Sequence, residues 1–462
     1  MLNNIKNNFR SGGRVWLFLF VIFLGLVLIL LYQYQLWFFV WLVILGIIIS
    51  LAFYPEWGIY LMVLTGFFHS WQIDFSHYAW AKELPYLPAV NAPIVDFVAI
   101  FTILGFLLSV LIGTREYNWK ELGNIFPVLK WYLLFLGIAL LSAFWAFEHN
   151  LGLSIKYWLH PELFVIVFFV LLPFLIILNR QIFERVLRLA WLVSLFSALF
   201  GLSSVLFVNS GQWFRLIPYN IYGFTPFGYN QNLLAEVLVV LLPLSFYFYQ
   251  KSKKHLYIYA GLLVALSALL TLSRAAWLVI FLQAIVLGYF YRQHIVQFFR
   301  NNLQRVLPVL LLFLLLFFYF FSFLIFAPVV DSSTFARSET IKVVAFYIAH
   351  QPWLGYGPGM FVPLLGNTAL YILEFGEALD AHGFIWKILL EQGILGLVAF
   401  IIFIFVLLRQ LFSAAKKVLP LTLLLMVLGI ICFELFNTSY FNSVMWLPIG
   451  LALVGIKFAY EE

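Results

Sequence analysis

Apolar runs of about twenty residues recur along the whole chain, and they constrain its fold more than any other feature. A helix crosses bilayer hydrocarbon in about 20 apolar residues, with a range of about 17–25. Fourteen runs qualify, near 15–32, 36–53, 57–70, 93–112, 129–147, 161–178, 187–208, 231–249, 256–273, 275–291, 306–327, 384–408, 419–436 and 444–460. Two boundaries come from splitting longer runs, at Gln33-Tyr34-Gln35 and at Ser273-Arg274. The run at 57–70 is short enough to be re-entrant. The prediction is an all-α polytopic transmembrane bundle of about 12–14 spans. Composition excludes the alternatives. Hydrophobic residues make up 65% of the chain and charged residues 10%, against about 45–50% and about 25% in soluble domains. No water-soluble globule hides that much apolar surface. Cys432 is the single cysteine, so a disulfide framework and a cysteine-built zinc site are excluded too.

Charge predicts orientation. Lys6, Arg10 and Arg14 flank the first run, whose apolar stretch is long and lacks a small-residue cleavage site, so it reads as a retained span with a cytoplasmic N-terminus. Counting alternate loops from there puts 19 of the 26 Lys and Arg inside and seven outside: Lys82, Lys156, Arg215, Arg274, Arg337, Lys342 and Lys387. That asymmetry predicts an even number of spans with both termini in the cytoplasm. The net charge of +7 is therefore spread as topology signals, and nucleic acid is not an expected partner.

The longer connections fall on the outer side, at 70–92, 209–230 and above all 328–383, where function tends to sit. In the last of these, Pro328 ends an apolar run and Asp331-Ser332-Ser333-Thr334 offers N-caps for an amphipathic helix over 335–350. A glycine-rich turn follows, then a polar stretch at 366–380 carrying Asn367, Glu374, Glu377 and Asp380. Arg274, Arg337 and Arg215 are outward cations at the membrane edge, where arginine is costly unless paired or functional; snorkelling is the bland alternative. A guanidinium fork suits diphosphate oxygens, and histidine suits proton transfer near neutral pH. Lys387 and Glu391 are four apart and form an expected intramembrane pair. Glu391 is alternatively placed to orient an active histidine. Glu236 shares a helix face with Asn232 and could line a cavity.

Several motifs occur together in a set order. Gly228-Tyr229-Asn230-Gln231-Asn232-Leu233-Leu234-Ala235 opens a span; Leu272-Ser273-Arg274-Ala275-Ala276-Trp277 splits another. Arg337, with Ile341 four positions on, leads to His350-Gln351-Pro352-Trp353-Leu354-Gly355-Tyr356-Gly357-Pro358-Gly359-Met360-Phe361. Ala381-His382-Gly383 and Glu391-Gln392-Gly393-Ile394-Leu395-Gly396 close the series. Together they resemble the O-antigen ligase and polymerase family over about residues 210–410. Residues 1–209 are then N-terminal membrane helices, 210–410 a ligase-like catalytic region containing the outer loop 328–383, and 411–462 a C-terminal membrane hairpin. Gly383 departs from the Asn, Ser or Arg usual after the histidine.

The resemblance implies an inverting, metal-independent transferase in the cytoplasmic membrane, with its site facing outward. It would move or polymerise a glycan from a polyprenyl-diphosphate donor onto a sugar hydroxyl of a glycan or lipid-linked acceptor. The implied catalytic residues are His382, Arg337 and Arg274, and the implied substrate-binding residues Arg215, Asn232 and Glu391. No cofactor and no metal site is expected, and no Asp-x-Asp motif stands in an outer loop. The competing class is a lipid-linked glycan flippase or other polytopic transporter. It should show a two-fold repeat and a central charged cavity, which the sequence does not suggest.

Overall fold

The computed structural model describes residues 20–25, 27, 37–68, 70–74, 91–114, 121–146, 150–208, 215–221, 224–228, 230–293, 297, 300, 315, 328–366, 383–437 and 442–459. In chain order its helices are α1 (Trp37–Phe53), α2 (Glu56–Gly66), α3 (Ile94–Ile112), α4 (Leu122–Ala143), α5 (Leu151–Ile176), α6 (Arg180–Phe207) and α7 (Gln231–Ser252). They continue as α8 (Leu256–Leu270), α9 (Arg274–Phe290), α10 (Pro328–His350), α11 (Phe361–Gly366), α12 (Phe384–Ala414), α13 (Val418–Glu434) and α14 (Ser443–Ala459). A short antiparallel pair, β1 (Gln72–Asp74) with β2 (Asn91–Pro93), precedes α3.

The chain is a multi-pass helical membrane protein. Among the described residues, six helices are long and apolar enough to cross a membrane: α3, α4, α5, α6, α7 and α12. A seventh span is possible if α1 and α2 count as one, although they bend by 116° at Tyr54-Pro55. The bent pair is a broken span or a re-entrant piece, the second being the alternative raised for 57–70. Helices α8, α9, α13 and α14 are apolar but only 15–17 residues long. The runs near 15–32 and 306–327 lie largely outside the described residues.

Local chemistry sets many of the boundaries. Asn179 and Asn230 cap α6 and α7, their side-chain oxygens accepting the N–H of Ile182 (2.9 Å) and Asn232 (2.9 Å). The split between α8 and α9 falls where Ser273-Arg274 predicted it. Two boundaries differ from expectation. The helix expected from 335 begins at Pro328, so Asp331-Ser332-Ser333-Thr334 lies inside it rather than capping it. The span expected from 161 begins ten residues earlier, at Leu151, capped by Asn150.

That early start runs α5 through His160-Pro161-Glu162. The helix accommodates the proline by widening into π-turns at Trp158–Phe164 and Val167–Leu171. One continuous apolar core then joins α2 to α14. At its centre Trp446 is fully buried, 4.8 Å from Tyr132 and 5.9 Å from Phe403 between ring centroids. Around it α12 lies along α4, α13 pairs with α14, and α14 crosses the second π-turn of α5.

That crossing has no spare space. A Cβ on Gly450 would collide with the Phe169 carbonyl oxygen of the π-turn. Backbone there cannot move without breaking helix pairing, so Gly450→Ala should cost about 1–3 kcal/mol by overpacking. The check is the midpoint of thermal unfolding in detergent, which should fall by several degrees.

Candidate active site

Contacts gather the segments singled out in the sequence into separate groups, one at the α8–α9 junction and one around the glycine-rich turn. The connection 215–221 lies against the last turn of α8: the Leu216 N–H donates to the Leu270 carbonyl (3.0 Å) and the Ile217 N–H to Ser204 Oγ (3.2 Å). Arg215 and Arg274 therefore flank one junction. Arg215 is half-buried, and burial holds its guanidinium below the usual arginine pKa. Arg274 is the exposed first residue of α9. The turn into it is unusual: Leu272 adopts a left-handed φ of 57°, which costs a residue bearing a Cβ about 1–2 kcal/mol. It is held by the Ser273 N–H donating to Thr271 Oγ1 (3.3 Å) and by Trp277 Nε1 donating to the Leu269 carbonyl (3.1 Å). Arg274 thus places its own charge at the positive end of a helix dipole, an arrangement suited to an anion.

An aromatic cluster anchors the rest of this connection. Phe224 packs on Trp71 (5.1 Å) and Phe68 (6.4 Å), Phe227 on Phe68 (5.5 Å) and Phe200 (5.5 Å), and Tyr219 stacks on Phe200 (4.8 Å). The asparagine that opens α7 is Asn230; Asn232 lies half-buried in its first turn.

The glycine-rich turn interlocks with a break in α12. At Gly393 the backbone leaves helical geometry (φ 69°, ψ −169°), stranding carbonyls before the break and N–H groups after it. The turn supplies partners for both sets. The N–H groups of Tyr356 and Gly357 donate to the carbonyls of Leu390 (3.0 Å) and Glu391 (2.9 Å). The N–H groups of Ile394 and Leu395 donate to the carbonyls of Pro352 (2.8 Å) and Trp353 (3.3 Å). A Cβ on Gly355 (φ +67°) would stand 2.5 Å from the Leu390 oxygen, and one on Gly393 would strike the Trp353 carbonyl. On its other side the turn sits on α5, with Gly357 and Gly359 against Ser154 and Tyr157. The two glycine motifs are two halves of one contact.

Beneath the turn lies a buried polar cluster. Lys387 Nζ stands 3.9 Å from Glu391 Oε1, as the spacing predicted, and faces the Tyr157 ring at 5.9 Å. Glu391 Oε1 also accepts the Phe361 N–H (3.2 Å), and the Glu391 carbonyl accepts Ser142 Oγ (2.6 Å). Next along α12, Gln392 Nε2 donates to Glu162 Oε1 on α5 (2.5 Å), and the Tyr132 hydroxyl donates to the Glu162 carbonyl (2.8 Å). Glu391 therefore sits within the scaffold of the turn. Glu162 was missed from sequence, as was an Asp96–His160 pair at 2.8 Å joining α3 to α5. The available signal was ionisable residues inside apolar runs.

The chain enters α12 through Gly383, whose N–H donates to the Asn437 carbonyl (2.9 Å). Asn437 Nδ2 in turn donates to Glu236 Oε2 inside α7 (2.8 Å). His382 and the polar stretch with Asn367, Glu374, Glu377 and Asp380 lie outside the described residues. Arg337 rides on α10, one turn before the buried Thr340; its side chain lies outside the described residues too.

The fold defines a multi-pass helical membrane protein. Within it, residues 259–401 match the family model described as O-antigen ligase, and the match supports the O-antigen ligase and polymerase family. The matched stretch contains the Ser-Arg element, both glycine motifs and His382, while Arg215, Asn232 and Glu236 lie outside it. No curated protein matches the chain.

The interlock makes a testable demand. Gly355→Ala should lower the detergent unfolding midpoint by several degrees, equivalent to about 1–3 kcal/mol. Gly152→Ala, where a Cβ meets nothing within 4 Å, should be neutral or slightly stabilising. Equal midpoints for the two would refute the interlock.

Proposed function

We propose that this chain transfers a glycan from a polyprenyl-diphosphate carrier onto an acceptor sugar hydroxyl at the outer face of the cytoplasmic membrane. The observation that carries the reading is the 2.8–3.3 Å interlock of the two glycine motifs inside the stretch matching the O-antigen ligase family, a stretch that also holds the Ser273-Arg274 turn. The concentration of Lys and Arg at the opposite loops supports a cytoplasmic N-terminus and an outward site.

In the proposed reaction the diphosphate rests against Arg274 and Arg337, with Arg215 and Asn232 completing the donor subsite. The donor's lipid tail lies between helices, and its glycan extends into the outer loops. The acceptor oxygen forms a bond to the anomeric carbon as the bond from that carbon to the diphosphate oxygen breaks. The bonding pair leaves on the diphosphate, whose growing charge the arginines stabilise. The acceptor proton passes to the His382 imidazole. One in-line displacement inverts the anomeric centre. Fixed guanidinium charges do the work a divalent cation does elsewhere, so the route is metal-independent. Glu391 contributes from below by holding Phe361 and the glycine turn.

The test is a proteoliposome assay with a polyprenyl-diphosphate glycan as donor. Longer glycans on the same carrier mark a polymerase; glycan moved to an added core lipid marks a ligase. His382→Ala should abolish either product while donor binding survives. Arg274→Ala should lower kcat about 10²–10³-fold, the usual loss for one charge-stabilising donor. EDTA should leave the rate unchanged. Donor crossing the bilayer with no product formed would replace this reading with a flippase.

A further inference from the structure

We infer that Glu236 and Asn437 form a positioning pair that fixes the backbone beside the catalytic histidine. The inference rests on the reading above, in which His382 deprotonates the acceptor.

Glu236 is fully buried inside the membrane-spanning helix α7, and Asn437 is 4% exposed. A carboxylate at such a place is expensive and needs a reason. Its Oε2 accepts Asn437 Nδ2 (2.8 Å), which fastens the turn after α13 to α7. That turn then holds the entry to α12. The Asn437 carbonyl accepts the Gly383 N–H (2.9 Å), and a Cβ on Gly383 (φ +106°) would collide with the Leu435 carbonyl. Gly383 is the N-cap of α12 and has no side chain to cap with, so this junction secures the helix start from outside. His382 is the next residue back in the sequence, one peptide link away. A catalytic group must be held to within about 0.5 Å of its productive place, and the peptide link between residues 382 and 383 is the nearest handle.

Glu391, the carboxylate that sequence reasoning offered for orienting the histidine, is eight residues further along α12. That is about 12 Å along the helix, and Glu391 is engaged with Phe361 and Lys387. The hydrogen-bonded path from residue 383 leads to Glu236 instead. In this reading the pair acts on the histidine through the backbone of Gly383. It lies outside the stretch matched by the family model, since Glu236 precedes residue 259 and Asn437 follows residue 401.

The experiment compares Asn437→Ala, Glu236→Leu, Glu236→Gln and His382→Ala in the proteoliposome transfer assay, with kcat, donor KM and unfolding midpoint measured for each. Asn437→Ala and Glu236→Leu should each lower kcat about 10–100-fold, as loss of an orienting partner does, with donor KM within about twofold. Glu236→Gln keeps an acceptor for the Asn437 amide and should restore kcat to within about threefold of wild type. Loss of folding, or KM rising in step with falling kcat, would make the pair merely structural and overturn the inference. So would an unchanged kcat in Asn437→Ala. An active His382→Ala enzyme would instead overturn the catalytic reading itself; an inactive one beside a fully active Asn437→Ala would defeat only the positioning role.

Discussion

Hydrocarbon offers backbone no hydrogen bonds, so a helix inside a membrane can break only where other protein groups replace the lost partners. The break at Gly393 obeys that constraint through four backbone hydrogen bonds to one glycine-rich turn. The consequence is structural coupling. Helix α12 can neither heal nor unravel at this point without undocking the turn, and the turn cannot leave without stranding α12. Glycine at 355 and 393 follows from distance, since no Cβ fits between the two strands of backbone.

The polar cluster below obeys the same constraint with side chains. Lys387, Glu391, Gln392 and Glu162 are all buried, and their contacts tie α12 to α5 and to the turn. Buried charges are retained at a cost, and removing one partner strands the other. At the opposite end, charge does simpler work: Lys251 pairs with Glu184, Lys457 with Glu121, and Lys417 Nζ donates to the Ala459 carbonyl (2.6 Å). Polar groups around the glycine turn hold its shape, while those at the other end anchor helix termini.

Apolar run length was enough to read the class of fold, and motif order was enough to read a family resemblance over about 210–410, of which 259–401 match the family model. The Ser273-Arg274 split and the Lys387–Glu391 pair were legible because both depend on residues close in sequence. What escaped depends on distant partners. Nothing local marks Asn437 as the partner of Glu236, 201 residues away, or Gln392 as that of Glu162, 230 residues away. The π-turns of α5 were illegible for a related reason. Pro161 in an apolar run reads as a helix start, and only packing against α14 and α4 shows the helix widening past it.

Those π-turns also set a register. A π-turn holds one residue more than an α-turn, and one residue advances a helix by about 100° around its axis. The first half of α5 therefore shows Glu162 to Gln392 of α12, while the second half shows Phe169 and Val170 to α14. Length and phase are locked together in this span. Rewinding a π-turn between Trp158 and Leu171 to α geometry with every residue kept would release that extra residue into the helix. Everything on one side would swing about a quarter-turn relative to the other, carrying a carboxylate toward lipid or an aromatic stripe away from its core. The extra length taken up by the π-turns is what keeps both faces on their partners at once.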